Sequence, residues 1–199
     1  MSIRVLIVED DPVIAADLEF LVTNDDYQVA GIAYDSTRAL DLLHRFRPDI
    51  VLLDIAIRGD KDGIALAGII KDKYRIPFIY ITAFADKETL DRAKSTLPYG
   101  YIVKPFKERD VISAIEMAVY RHAVSFNTDL PDAAWLTTSF NLTPGEIQVL
   151  AGIWAGQTNQ HISEALGISL NTVKTHLKNI FVKLDVRTRT EALVLLRNR

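Results

Sequence analysis

Along the first 120 residues, short apolar runs alternate with longer amphipathic stretches. The runs are Arg4–Val8, Gln28–Ala33, Ile50–Leu53, Pro77–Ile81 and Gly100–Val103. They are four to six residues long and rich in Val and Ile, which predicts strands buried on both faces. Between them lie helical patterns over Pro12–Thr23, Ser36–Phe46, Ile64–Tyr74, Lys87–Ser95 and Lys107–Arg121. Pro12 suits a first helical turn, where its missing N–H is not needed. Five strands alternating with five helices predict an α/β domain, a doubly wound five-stranded parallel sheet, over residues 1–122.

The pattern lapses across residues 123–140, where Asn127, Thr128, Asp129, Pro131 and Asp132 cluster and Trp135 and Phe140 stand as isolated aromatics. This segment reads as a linker, partly docked by the aromatics. Residues 141–199 carry no strand signal. Helical patterns run over Pro144–Ala155, Asn159–Leu166, Leu170–Leu184 and Thr188–Arg197. Thr143 and Glu146 form a capping-box pattern with Pro144 at the first helical position. Gly156 and Gly167 are natural helix stops, and Ser169 or Asn171 can cap the third of these helices. The expectation is a second, smaller all-α four-helix domain.

Composition narrows the chemistry. None of the 199 residues is cysteine, which excludes disulfides, cysteine-ligated zinc and thiol catalysis. The apolar run near the N-terminus is short and ends in acid, unlike a signal peptide. No stretch approaches the roughly 20 apolar residues that span a bilayer. The expected place is the cytoplasm, without membrane contact. Net charge is uneven: residues 137–199 carry seven Lys/Arg against four Asp/Glu (+3), and residues 1–136 carry 16 against 22 (−6). The basic part is the candidate for nucleic acid.

Open parallel sheets bind ligands beyond the carboxyl ends of their strands. Those ends carry Glu9, Asp10 and Asp11 after the first run, Asp54 after the third, Thr82 after the fourth and Lys104–Pro105 after the fifth. Carboxylates meeting at one edge repel unless a cation sits among them, and Mg²⁺ favours such oxygen donors. A carboxylate can also act as nucleophile and form an acyl phosphate. A lysine and a hydroxyl would meet the charge of the transferred group. Taken singly, each residue has a plainer reading: acids after strands cap the next helix, and a lone lysine is solvated. The set carries the inference.

The segments VLIVEDD, VLLDI, ITA and YIVKPF, in this order and spacing over residues 3–122, resemble the flavodoxin-like receiver domain of two-component response regulators. The resemblance implies that Asp54 is the phosphoacceptor and that Glu9 and Asp10 hold Mg²⁺ together with Asp54 and the backbone carbonyl of Ala56. Asp11 then serves the helix start. Thr82 is implied as the switch hydroxyl, Lys104 as the phosphoryl-pairing lysine, Tyr101 as the aromatic switch, and Lys104–Pro105 as a cis peptide. One loop departs from the commonest receivers: IAIRGDKDGIALA follows Asp54 where many have a proline-bearing loop. It reads as a polar turn capping the third helix, with a second metal site at Asp60 and Asp62 as the lesser alternative. Ala56 and Phe84 flank the path of a hydrolytic water and neither can orient it, so slow self-dephosphorylation is expected.

The segment over about residues 141–196, with Thr172-Val173-Lys174 and His176 in its third helix, resembles the LuxR/NarL-type helix-turn-helix. Val173, Leu177, Ile180 and Leu184 repeat at core-facing intervals. Asn171, Thr172, Lys174, Thr175 and Lys178 are the implied DNA-contacting positions, while His176 is read as structural. Two departures stand out, Gly145 where the family usually has Arg and Gln160-His161 where Lys-Glu is usual. The last helix, Thr188–Arg197, is the expected dimer surface, with the alternative that its apolar face closes the small core. Together the resemblances imply a transcriptional regulator switched by a sensor histidine kinase, dimeric when phosphorylated, binding promoter DNA, with RNA polymerase as a further partner. It would not be a turnover enzyme, since His44 and His122 read as surface residues away from the acidic pocket. The alternative is a phosphorelay or adaptor protein with weak DNA binding.

Overall fold

The computed structural model of the chain describes residues 2–83, 87–124 and 129–197. The fold divides into two units, one over Arg4–Val119 and a second that begins at Tyr120.

The strands of the first unit are β1 (Ile3–Val8), β2 (Tyr27–Ala33), β3 (Ile50–Asp54), β4 (Phe78–Thr82) and β5 (Gly100–Val103). They form one sheet in the order β2-β1-β3-β4-β5. Val5 aligns with Ile50, Val51 with Phe78 and Ile79 with Gly100, each pair of strands parallel. Every residue of β3 and β4 is buried, as the apolar runs require. The connecting helices are α1 (Pro12–Val22), α2 (Ser36–Phe46), α3 (Gly63–Ile69), α4 (Lys87–Ser95) and α5 (Glu108–Val124). The chain reverses its winding between β1 and β3. In this strand order that is the switch point, where ligands bind.

Side-chain caps set the helix starts. Asp11 accepts from the N–H groups of Val13 (2.8 Å) and Ile14 (3.3 Å), so it serves α1. Asp62 accepts from Ala65 N–H at 2.7 Å and caps α3, so the polar loop after Asp54 does end in a helix cap. The pattern over Ile64–Tyr74 is not one regular helix: after Ile69 the chain widens into a π turn, Ile70–Tyr74. Lys104–Pro105 is cis.

In the second unit, α6 (Ala133–Phe140), α7 (Pro144–Trp154), α8 (Asn159–Leu166), α9 (Leu170–Leu184) and α10 (Arg189–Arg197) follow. The first of these corrects the linker reading of residues 123–140. Residues 133–140 are helical, capped by Asp132, and Leu136 enters the same apolar core as Val149, Leu150, Val173 and Leu177. The Thr143–Glu146 capping box forms at α7, with Thr143 N–H donating to Glu146 Oε2 at 2.8 Å. Gly167 closes α8 at φ 64°, and Ser169, not Asn171, caps α9. At Gly152 an added Cβ would lie 2.6 Å from Ile162, so α7 and α8 approach too closely there for any side chain.

Candidate functional site

The strand register brings the acidic residues to one edge. Glu9 follows β1, Asp54 ends β3 and Thr82 ends β4; Asp54 aligns with Ile81, one residue short of Thr82. Glu9, Asp10 and Asp54 offer carboxylate oxygens that all lie within 4.8 Å of one another. Lys104 is fixed beside them because its N–H donates to Thr82 O at 2.8 Å. Its Nζ lies 2.7 Å from Asp54 Oδ2 and 2.6 Å from Glu9 Oε2, bridging the two. The other Asp54 oxygen, Oδ1, accepts the Ala56 N–H at 3.0 Å. Asp54 is thereby held in one orientation from both sides.

Burial sharpens these charges. Glu9 is 1% exposed. Burial and the nearby Asp54 charge hold its carboxyl above the ordinary glutamate range, and the Lys104 contact offsets this only in part. Burial also works against the Lys104 ammonium, but the Asp54 and Glu9 hydrogen bonds outweigh it and raise its pKa. Three carboxylates at this spacing exceed what one lysine neutralises. Hard oxygen donors in such number suit a divalent cation.

One residue in the pocket escaped the sequence reading. Arg58 Nε lies 3.0 Å from Asp10 Oδ2. Its only sequence signal was the unusual loop in which it stands. Gly63 also gains a specific meaning: a Cβ there would lie 2.0 Å from the Asp54 carbonyl oxygen. The start of α3 therefore closes directly on the backbone of the central carboxylate. Asp62 is engaged by its cap and by Arg92 at 2.6 Å, and both contacts hold its carboxyl below the ordinary aspartate range against the effect of burial. Thr82 is buried, whereas Tyr101 is 39% exposed with its ring 5.6 Å from that of Tyr80. Phe84 lies outside the described residues. His122 corrects the surface reading: it is 5% exposed, on the same α5 stripe as Val111, Ile115 and Ala118.

The second unit presents a different surface. On α9, Val173, Leu177, Ile180 and Leu184 are buried, while Asn171, Thr175 and Lys178 are exposed and Thr172 and Lys174 half-buried. Two of the hydroxyls also make contacts inside the helix. Thr175 Oγ1 donates to Asn171 O at 2.9 Å, and Thr172 Oγ1 pairs with Ser169 Oγ at 2.8 Å. A Cβ on Gly145 would sit 3.4 Å from the His176 ring, so the imidazole stands over α7 where that residue has no side chain. Gln160 Nε2 turns along α8 to Glu164 Oε1 at 2.7 Å. Beneath this surface, buried Glu146 receives Lys183 Nζ at 2.6 Å, and the same ammonium donates to Asn141 O at 2.8 Å. Burial opposes the charge on Glu146, but Lys183 and the Thr143 contacts outweigh it and lower its pKa.

Comparison with known proteins covers both units. The response regulator receiver domain matches residues 5–116, and the luxR family of bacterial regulatory proteins matches residues 140–196. The response regulator protein VraR of Staphylococcus epidermidis is 30% identical over 203 residues, spanning 98% of this chain and 96% of its own. VraR of Staphylococcus aureus matches over the same shares at the same identity. The signal receiver domain of a modulated diguanylate cyclase from Desulfovibrio desulfuricans G20 superposes with a TM-score of 0.60 at 34% identity, over 63% of this chain and 99% of its own. A DNA-binding response regulator of the LuxR family from Staphylococcus aureus shares the fold, with a TM-score of 0.54 at 20% identity over 58% of this chain and 97% of its own. Among the described residues no helix is long and apolar enough to cross a membrane. With a receiver domain and a LuxR-type helical domain matched in one chain, and relatives aligned over nearly its whole length, this protein belongs to the DNA-binding response regulators of two-component systems.

Proposed function

We propose that Asp54 is the phosphoacceptor of this regulator and that its phosphorylation by a sensor histidine kinase controls DNA binding by α9. One observation carries the reading: three carboxylates meet at the sheet's switch point with Lys104 bridging two of them. In the step, an Asp54 carboxylate oxygen attacks the phosphorus of a phosphohistidine. The new O–P bond forms as the P–N bond breaks, and the imidazole leaves with that electron pair and takes up a proton. Asp54 modifies itself and turns over no separate substrate.

The donor set fits Mg²⁺: Glu9, Asp10, Asp54 and the carbonyl of Ala56 are oxygen ligands of the kind it prefers. Bound there, Mg²⁺ would neutralise charge on the incoming phosphoryl group. Lys104 pairs with that group from the other side, and Thr82 donates its hydroxyl to it. Tyr101 then turns inward from its half-exposed position, which biases a two-state surface of the receiver. Ala56 has no side chain able to orient a hydrolytic water, so the acyl phosphate persists for minutes or longer at neutral pH. Decay within seconds, followed on phosphate-affinity gels, would sink that expectation.

On the DNA side, Asn171, Thr172, Lys174, Thr175 and Lys178 meet base edges and phosphates from α9. Dimerisation through α10 supplies affinity that one copy lacks, and RNA polymerase is the partner at the promoter. The working compartment is the cytoplasm. The test is fluorescence anisotropy on promoter DNA with and without beryllofluoride and Mg²⁺, with Asp54→Asn as control. Tighter binding of the wild type alone is expected. Equal binding throughout would mean an ungated DNA-binding domain. No binding throughout would favour the adaptor reading, which Gly145 and Gln160, paired along α8 with Glu164, support because neither supplies a cation to meet phosphate.

A further inference from the structure

We propose that Arg58 is a resident counter-cation of Asp10 that sets how tightly the pocket takes up a divalent metal. The inference rests on the metal-holding role of Glu9, Asp10 and Asp54.

Arg58 is not at Asp10 by the chance reach of a long side chain. Its backbone is fastened to the start of α2. Asp35 and Arg58 form an isolated parallel bridge, and Ser36 N–H donates to Arg58 O at 3.1 Å. The next residue, Gly59, holds φ 121° and packs so closely that a Cβ would meet Ser36 Oγ at 2.4 Å. Lys61 N–H then donates to the same Oγ at 3.3 Å. This loop is the one in which the sequence departs from the commonest receivers. Its geometry delivers a guanidinium to the outermost of the three carboxylates.

The charges follow from that placement. Lys104 serves Glu9 and Asp54, and Arg58 serves Asp10. Three negative charges thus face two positive ones, where without Arg58 they would face one. A divalent ion on Asp10 must approach within a few ångströms of the guanidinium and works against its repulsion. Arg58 is 83% exposed and Asp10 only 21%. The guanidinium can therefore swing into solvent when a metal arrives, and its effect is open to screening by salt. Arg58 thereby raises the metal concentration at which the pocket fills.

The experiment is isothermal titration of the full-length protein with MgCl₂ alone, at low and high ionic strength, for the wild type, Arg58→Ala, Arg58→Lys and Asp10→Asn. At low salt Arg58→Ala is expected to bind Mg²⁺ about five-fold more tightly, and Arg58→Lys to stay near the wild type because it keeps the charge. The gain should shrink toward none at about 1 M salt, where the screening length is about 3 Å. It should also vanish when Asp10→Asn is present in the same chain. Unchanged or weaker Mg²⁺ binding by Arg58→Ala at low salt overturns the proposal while leaving the metal site intact. Binding that Asp10→Asn does not weaken, or no binding by any variant, overturns the metal-holding reading and this inference with it.

Discussion

Lys104 in the first unit and Lys183 in the second each place an ammonium 2.6 Å from a buried glutamate oxygen. Their surroundings give it opposite meanings. Glu146 also receives the N–H of Thr143, and the spare capacity of Lys183 goes to a helix-end carbonyl. The charges balance, the acid's pKa falls, and the pair closes a helix start onto α9. Glu9 shares its lysine with Asp54, so one cation faces two anions, and burial keeps the acid's pKa high. The lesson is that a buried ion pair marks a working site when its charges are under-compensated, and a structural one when one cation matches one acid.

That contrast can be broken most directly by removing each lysine. Lys104→Met should reduce phosphotransfer to Asp54 by about a hundred-fold, the loss typical of one positioned charge donor. DNA binding by the unphosphorylated protein should stay as it was. Lys183→Met should do the converse. It leaves a buried carboxylate unpaired and should cost the second unit about 2 kcal/mol, with phosphotransfer intact. Both tryptophans, Trp135 and Trp154, lie in that unit, so their fluorescence during urea unfolding reads it separately. If both variants lose stability alike and phosphotransfer survives in both, the distinction is wrong.

The two acids should also separate on titration. Carboxyl carbon resonances of metal-free protein should place Glu9 above the ordinary glutamate value of 4.5 and Glu146 below it. The stability consequences have opposite signs. The Glu146 contribution is complete above pH 4.5 and is lost as pH falls through its depressed value. Glu9 imposes a cost that grows as pH rises from 4.5 through its elevated value and is fully present above it. Mg²⁺ should draw the Glu9 titration downward and leave Glu146 unmoved. The smallest effect concerns Gly145, where a Cβ meets only ordinary contact with His176. Gly145→Ala should stabilise α7 by about 0.5–1 kcal/mol, seen as a small upward shift in the tryptophan-detected midpoint.

Much of this was legible in the chain because it is local. The apolar runs named the strands, and Asp11, Thr143, Gly167 and Ser169 named helix ends through short-range hydrogen bonds. Helix α6 was hidden by the polar residues just before it, although Asp132 ahead of Ala133 and Asn141 in the left-handed region behind it are ordinary cap signals. The π turn at Ile70–Tyr74 left no mark, since apolar periodicity barely changes over one turn. His122 was misplaced by its polarity, although its spacing from Val111, Ile115 and Ala118 is that of a buried stripe. The Arg58–Asp10 pair spans 48 positions and depends on how a loop is anchored, which spacing along the chain does not encode.

Gly63 shows that a site can depend on clearance as well as on reactive groups. With only 2.0 Å between a would-be Cβ and the Asp54 carbonyl, the loop can close over the strand end because nothing is there. A genetic screen for silenced signalling should recover Gly63 beside the carboxylates, even though it offers no side chain to a ligand. A catalogue built only from reactive atoms would pass it over.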